Sequence, residues 1–303
     1  MKILVAGASG AIGQPLVVEL LRRGHSVTCM THSEAGAATI ARMGAKVAMV
    51  DALDAAAVED AVRTAQPEVV IDELTSLPKE DSSELANRLP GDRKLRLEGG
   101  GNLHRAAQAA GVRRYLQQAS GFFLEPGIGL ADESVKLAVD ASPGVAFSAR
   151  MYAELEARVL GSPTMEGVAV RYGFFYGANT WYCREGGAAE QVRRRQIPIV
   201  GQGSAVWSFI HVDDGALATV AAISAPPGVY NVVDDDPLPV HRWLPDFAAW
   251  VGASEPPHIT EDEARAAAGE DAIYYGTRLR GASNKKARET LGFKPRRLEW
   301  LRQ

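Results

Sequence analysis

Short apolar runs alternate with longer amphipathic stretches through the first half of the chain. Residues 2–6, 26–30, 46–50, 68–71, 114–118 and 168–172 are brief runs, mostly apolar and bounded by glycine or polar residues, and they read as buried strands. Between them, residues 11–23, 34–43, 55–64, 92–110 and 145–160 carry apolar positions at helical spacing, with Gly111 placed to cap the 92–110 helix. Repeated strand–helix units of this kind predict an α/β fold, a Rossmann-type doubly wound parallel sheet with helices on both faces. A polar loop is expected over residues 75–90 and a glycine-rich one over Gly121–Gly129. Beyond Gly173 the rhythm breaks, and only short helices are expected, near 242–251, 261–269 and 285–291. The expected division is a first domain over residues 1–175, to which 205–232 returns, and a smaller α/β lobe mostly over 176–303.

The first strand, Lys2–Ala6, runs into Gly7-Ala-Ser9-Gly10-Ala11-Ile12-Gly13, and a helix follows. Strand, glycine turn and helix start are the parts of a dinucleotide site. Gly7 permits a tight turn, Gly10 admits a pyrophosphate to the backbone, and Gly13 lets helix and strand pack closely. The helix N-terminus then offers free N–H groups and a partial positive charge.

Composition narrows the partners. The 303-residue chain has a formal net charge of −4, and its only basic block, Arg193-Arg194-Arg195, reads as a solvated helix face, so no nucleic-acid partner is expected. No apolar run reaches the length of a membrane span or a signal h-region, so no membrane association is expected. The two cysteines, Cys29 and Cys183, lack metal-ligand spacing and read as free thiols, which points to a reducing cytoplasm and to no metal.

Several ordered motifs resemble the extended short-chain dehydrogenase/reductase family, the NAD(P)-dependent epimerase/dehydratase group. They are Gly7-x-x-Gly10-x-x-Gly13, the acidic pair in Asp51-Ala52-Leu-Asp54, Val70-Ile-Asp-Glu-Leu74-Thr75-Ser76 and Glu98-Gly-Gly-Gly-Asn102-Leu. Val170-Arg-Tyr-Gly-Phe-Phe-Tyr-Gly177, Phe209-Ile-His-Val-Asp-Asp214 and Asn284-Lys-Lys-Ala-Arg-Glu-Thr-Leu-Gly292 continue the series. The resemblance implies that Gly7, Ser9, Gly10, Ala11, Ile12, Gly13, Asp51, Ala52, Leu74, Thr75 and Ser76 line a nicotinamide dinucleotide. It also implies a homodimer through the helices at 92–110 and 145–160, and makes His211 a strand-to-helix joint. His104 and His241 have no partner visible in the sequence.

The family's Tyr-x-x-x-Lys pair, in which the lysine lowers the tyrosine's pKa, is missing. The helix reads Phe147-Ser148-Ala-Arg-Met-Tyr152-Ala-Glu-Leu-Glu156, and two registers are open. Tyr152 is the tyrosine with Glu156 in the lysine position, or Ser148 and Tyr152 occupy the two positions and Glu156 is the glutamate beyond them. Spacing to the next strand favours the second. Tyr152, Ser120 and Ser148 are the catalytic candidates, Tyr152 also as a contact to the cofactor. Trp207 stands where nucleotide-sugar members carry a diphosphate-binding arginine, and residues 267–271 lack the second one. With Phe122, Phe123 and Tyr176 nearby in the motifs and Arg96 facing the loop after Ser120, a small, partly apolar, non-nucleotide substrate is expected. The second strand ends in Thr31-His32-Ser33 without an acid, which favours NADP over NAD. The function expected is an NAD(P)-dependent oxidoreductase or epimerase acting at a carbinol or carbonyl carbon. The alternatives are a cofactor-binding sensor without catalysis and a nucleotide-sugar epimerase or dehydratase.

Overall fold

The computed structural model describes residues 1–77 and 85–301. The elements run β1 (Lys2–Ala6), α1 (Gly13–Arg22), β2 (Ser26–Thr31), α2 (Glu34–Met43), β3 (Lys46–Met49), α3 (Ala55–Ala65), β4 (Val69–Asp72), α4 (Leu85–Lys94), α5 (Gly100–Ala109), β5 (Arg114–Ser120), α6 (Pro143–Leu160) and β6 (Glu166–Tyr172). A wide π-helical turn, Leu95–Gly99, joins α4 to α5. The second half adds β7 (Phe174–Tyr176), α7 (Gly187–Arg193), β8 (Ile199–Val200), β9 (Val206–Trp207), β10 (Phe209–His211), α8 (Val212–Ala222) and β11 (Gly228–Val232). It closes with β12 (Leu238–Pro239), α9 (Val240–Trp250), β13 (His258–Ile259), α10 (Glu261–Ile273) and α11 (Lys285–Leu291).

Seven strands form one sheet in the order β11-β6-β5-β4-β1-β2-β3. Every pair in it is parallel, and the order reverses between β1 and β4. β4 and β5 are buried at every position, as strands covered on both faces must be. One core holds Ile3, Val5, Leu16, Leu20 and Val170 with Val220 of α8. The other holds Leu4, Val62, Leu103, Tyr115 and Leu155 and continues into the second half of the chain through Trp243 and Phe247. β11 is part of the main sheet although the chain reaches it only after β7–β10.

Two expectations need correction. The polar loop expected over 75–90 ends earlier, because α4 already runs from Leu85; residues 78–84 of that expectation lie outside the described residues. Pro90 sits inside α4 at the loss of one backbone hydrogen bond. Side-chain bonds from Asp92 and Arg96, described below, anchor the following turn. The single helix expected over 92–110 contains the π turn; the helix expected over 261–269 does break at Gly269, whose φ of 73° is not helical, before a second helical stretch runs on to Ile273.

Candidate active site

The glycine turn follows β1 at the carboxyl edge of the sheet. Gly7 has φ +80°, and a Cβ there would lie 2.2 Å from the Glu73 carbonyl oxygen beyond β4. A Cβ on Gly13 would lie 2.3 Å from the Gly7 carbonyl oxygen, so only glycine lets α1 start this close to the turn. Gly10 N donates to Gly7 O at 3.0 Å, which closes the turn, and Gln14 N donates to Gly10 O at 3.1 Å. The residues present fit a dinucleotide pyrophosphate: the backbone is open where side chains would fill the cradle, and α1 begins beside it.

Around this turn the other expected cofactor residues gather from neighbouring loops. The exposed Asp51 accepts from Leu53 N at 2.9 Å, and Ala52 O accepts from Asn102 Nδ2 at 2.9 Å, which ties the β3 loop to α5. Ser33 caps α2 by accepting from Gly36 N at 3.1 Å, Thr31 is buried, and His32 is exposed. No carboxylate stands within Thr31-His32-Ser33; Glu34 is the first acid after β2. Thr75 Oγ1 and Ser76 N both donate to Asp92 Oδ1, at 2.9 and 2.6 Å, so α4 holds the loop after β4.

Asp92 also begins a buried polar chain that sequence reasoning missed. Its Oδ2 accepts from Arg96 Nε at 2.7 Å, and Arg96 Nη1 donates to Gln118 Oε1 at 2.8 Å. Arg96 is 3% exposed and its guanidinium carbon lies 5.4 Å from the ring centre of Tyr152 on α6. Burial pushes the Tyr152 phenol above its ordinary pKa, Arg96 pulls it down, and Asp92 and Glu73 push it up. The Tyr152 hydroxyl has no hydrogen-bond partner among the described residues. Ser148, one turn earlier on the same buried face, is likewise unpartnered there. Ser120 closes β5, buried, with its Oγ accepting from Phe122 N at 3.4 Å.

Glu156 is held elsewhere. Arg171 Nε and Nη2 grip its two oxygens at 2.6 and 2.7 Å, and Nη1 reaches Val135 O at 3.2 Å. Both carboxylate oxygens are therefore committed to a buried pair with β6. Glu73 is a second buried carboxyl that the sequence did not single out. It accepts from Tyr172 Oη at 2.9 Å while its other oxygen is sealed without a partner, and burial lifts it to about 8. Tyr172 Oη in turn meets the Thr219 hydroxyl of α8.

Aromatic side chains wall the far side of Tyr152. Phe123 lies nearly parallel to it at 5.7 Å, Phe122 stacks on Phe174 at 4.1 Å, and Phe174 stacks on Trp207 at 4.1 Å. Tyr275, also unanticipated, packs on Trp207 at 5.9 Å, and its carbonyl accepts from Trp207 Nε1 at 2.9 Å. Tyr176 is corrected: although it shares a face of β7 with Phe174, it is 1% exposed and packed edge-on between His211 and Trp300, so its ring is spent in the core beyond the wall. His211 is the N-cap of α8, accepting from Asp213 N at 3.1 Å, while Arg296 binds Asp214. The His241 ring contacts Gly203 O, and His104 packs edge-on against Tyr115. No group of potential metal ligands occurs among the described residues, and no described helix is long and apolar enough to cross a membrane.

A parallel sheet with its order reversed at β1 and β4, and a glycine turn opening onto a helix at that point, define a dinucleotide-binding α/β enzyme of Rossmann type. The chain belongs to the NAD dependent epimerase/dehydratase family, which matches residues 3–232. It is an NAD(P)-dependent enzyme of oxidoreductase or epimerase type. A 3-diazoavenalumate denitrifying reductase from a Streptomyces species is 41% identical over 305 residues, covering 99% of this chain and 98% of that protein. Among solved structures, the UDP-glucose 4-epimerase of Thermotoga maritima with UDP-glucose superposes with a TM-score of 0.75 at 21% identity, covering 99% of this chain and 95% of that one. The Thermus thermophilus UDP-glucose 4-epimerase complex with NAD has a TM-score of 0.71 at 24% identity, covering 99% and 96%. These two share the fold.

Proposed function

We propose that this protein is an NADPH-dependent reductase that replaces the diazo group of an aromatic carboxylate with hydrogen. The observation that carries the proposal is the 41% identity to the Streptomyces denitrifying reductase, which runs through both lobes of the chain. Trp207 and its aromatic stack, where a nucleotide-sugar enzyme carries an arginine, support a flat apolar substrate over a diphosphate. The acid-free end of β2 supports NADP, with NAD as the alternative.

Gly7, Ser9, Gly10, Ala11, Ile12 and Gly13 would hold the pyrophosphate, and Thr31, His32 and Ser33 the adenosine 2′-phosphate. Asp51 and Ala52 would face the adenine, with Leu74, Thr75 and Ser76 further along the cofactor. When bound, the reduced nicotinamide supplies a hydride, so that a diazo carbon plus hydride and one proton gives a C–H carbon and N2, the C–N bond breaking. The chain supplies the proton and the position. Tyr152 gives the proton from its unpartnered hydroxyl, Ser148 and Ser120 orient it, and Glu156, gripped by Arg171, takes no part. That assignment follows the register in which Ser148 and Tyr152 fill the two dyad positions. Cys29, buried with its thiol pushed up to about 12, and the half-buried Cys183 support a reducing, cytoplasmic setting.

The test is turnover of a diazo-substituted hydroxycinnamate with NADPH deuterated at C4, followed by mass spectrometry. Deuterium at the former diazo carbon, faster with NADPH than with NADH, is the expected result. No cofactor oxidation by the diazo compound, with tight NADPH binding intact, would instead favour a cofactor-binding sensor. Turnover of UDP-glucose would favour the sugar epimerases.

A further inference from the structure

We infer that Tyr152 and Arg96 together form a receptor for one anionic oxygen of the substrate, conjugated with the carbon that is reduced, and that Asp92 and Gln118 are its positioning residues. The inference deepens the reductase reading and rests on it.

Arg96 is 3% exposed, and its Nε and Nη1 are spent on Asp92 at 2.7 Å and Gln118 at 2.8 Å. Its Nη2 bonds nothing among the described residues, and neither does the hydroxyl of Tyr152, which is 8% exposed. Neither atom is among the sealed, unpartnered polar atoms of the interior, so neither is wholly cut off from the surface. Leaving donors of two buried side chains idle is costly unless something else accepts from them. The two side chains meet from separate elements, with the guanidinium carbon 5.4 Å from the Tyr152 ring centre.

The scaffold enforces this meeting. The π turn carries Arg96 inward, a distortion often found at functional sites. A Cβ on the following Gly100 would lie 2.8 Å from Arg158 Nη2 and 2.8 Å from Asp72 Oδ2, so a glycine lets the helix sit close against the sheet. Both oxygens of Asp92 are engaged, Oδ1 by Thr75 and Ser76 and Oδ2 by Arg96 Nε. The groups that act on the Tyr152 phenol are Arg96, Asp92 and Glu73, with Tyr275 also close by.

Chemistry identifies the ligand atom. A stabilised diazo compound carries an oxygen conjugated with its diazo carbon. Protonating that oxygen converts the group to a diazonium, whose C–N electron pair leaves with N2 once the carbon is reduced. Tyr152 breaks its O–H bond to make the new one, and its electron pair stays on a phenolate beside Arg96. The arginine thus supplies the charge that a lysine supplies elsewhere in the family, and it also holds the substrate oxygen through a charge-assisted bond.

4-Nitrophenol is the probe, because its absorbance reports the ionised fraction directly, titrated against the full-length protein with NADP⁺ present. The expected result is that the bound probe ionises about one pH unit or more below free probe. Arg96→Met should erase that shift, Arg96→Lys should restore part of it, and Tyr152→Phe should reduce it. NADPH fluorescence checks that each variant is folded and binds cofactor. Should Arg96→Met fail to fold, Gln118→Leu, which frees the guanidinium, should still shrink the shift. An unshifted or unbound probe in the wild-type protein overturns the inference, as does a shift that survives Arg96→Met. A protein that reduces the diazo compound while leaving the probe unshifted sinks this inference alone. One that shifts the probe and reduces no diazo compound sinks the reductase reading and keeps the oxyanion receptor.

Discussion

Replacing Glu156 with glutamine separates a structural carboxylate from a catalytic one. Arg171 is 4% exposed, Glu156 is 7% exposed, and two bonds of 2.6 and 2.7 Å join them. Glutamine offers the guanidinium one neutral oxygen in place of a charged pair, and turns an amide toward a donor. The Arg171 charge is then buried with only neutral acceptors, that oxygen and Val135 O. Breaking a buried pair from one side costs about 3–5 kcal/mol, since the remaining charge is uncompensated. At roughly 2–4 °C per kcal/mol for larger domains, the melting temperature should fall by roughly 6–20 °C. The double variant Glu156→Leu/Arg171→Met removes both charges and should recover most of the loss, giving a coupling energy of about 2 kcal/mol or more in a double-mutant cycle. Thermal melts by circular dichroism measure wild type, Glu156→Gln, the single variants Glu156→Leu and Arg171→Met, and their double, and turnover is read well below the lowest melting point. There, kcat of Glu156→Gln should stay within a few-fold of wild type. A variant that melts like wild type but has lost turnover would refute the reasoning and return Glu156 to the proton chemistry.

Three further outcomes follow from the same geometry. Gly13→Ala would put a Cβ 2.3 Å from Gly7 O and 2.8 Å from two Ala8 atoms, all backbone, so the turn must move; NADPH fluorescence should show Kd rising about tenfold or more, and an unchanged Kd would mean that the turn does not carry the cofactor. The Glu73 carboxyl is lifted by burial to about 8 from 4.5, so the folded protein keeps a proton that the unfolded chain releases: its stability contribution is full below about pH 4.5 and drains away as pH rises through about 8. Glu73→Gln keeps the acceptor for Tyr172 without titrating, so urea melts should show a flatter decline over that window, by up to about 1.4 kcal/mol per pH unit; parallel curves would sink the idea. Trp207→Ala removes the ring stacked on Phe174, a contact worth about 0.5–1.5 kcal/mol, and should raise KM for the aromatic substrate several-fold with kcat nearly constant; an unmoved KM would take Trp207 out of the binding wall.

The parts of this protein that its sequence announces are those set by local rules. Strand runs and helical spacing predict the parallel sheet because its central strands bury both faces, and the three glycines predict the turn because their steric demands lie within a few residues of one another. Tyr176 misleads for the opposite reason: aromatic content near a motif says nothing of which distant side chains a ring meets, and this one is buried by His211 and Trp300. Glu156 is ambiguous in the sequence because its partner, Arg171, comes from another strand, and only the pairing reveals that its charge is already spent.

Tyr152 is where spacing and geometry part most clearly. A helix that lacks lysine four residues after its tyrosine reads as a site that has lost its chemistry. Yet what lowers a phenol's pKa is a positive charge within a few ångströms, and the field does not depend on which element delivers it. Here the charge comes from Arg96 on the π turn, which pulls the Tyr152 phenol down against a burial that holds it above its ordinary value. That turn is invisible to a 3.6-residue period, because it adds one residue to a helix whose apolar pattern carries on beyond it. The same burial that makes an arginine there costly to hold also requires the Asp92 and Gln118 contacts that fix its direction. A missing dyad in the sequence is therefore compatible with a working proton donor, provided that a cation reaches the tyrosine from elsewhere in the fold.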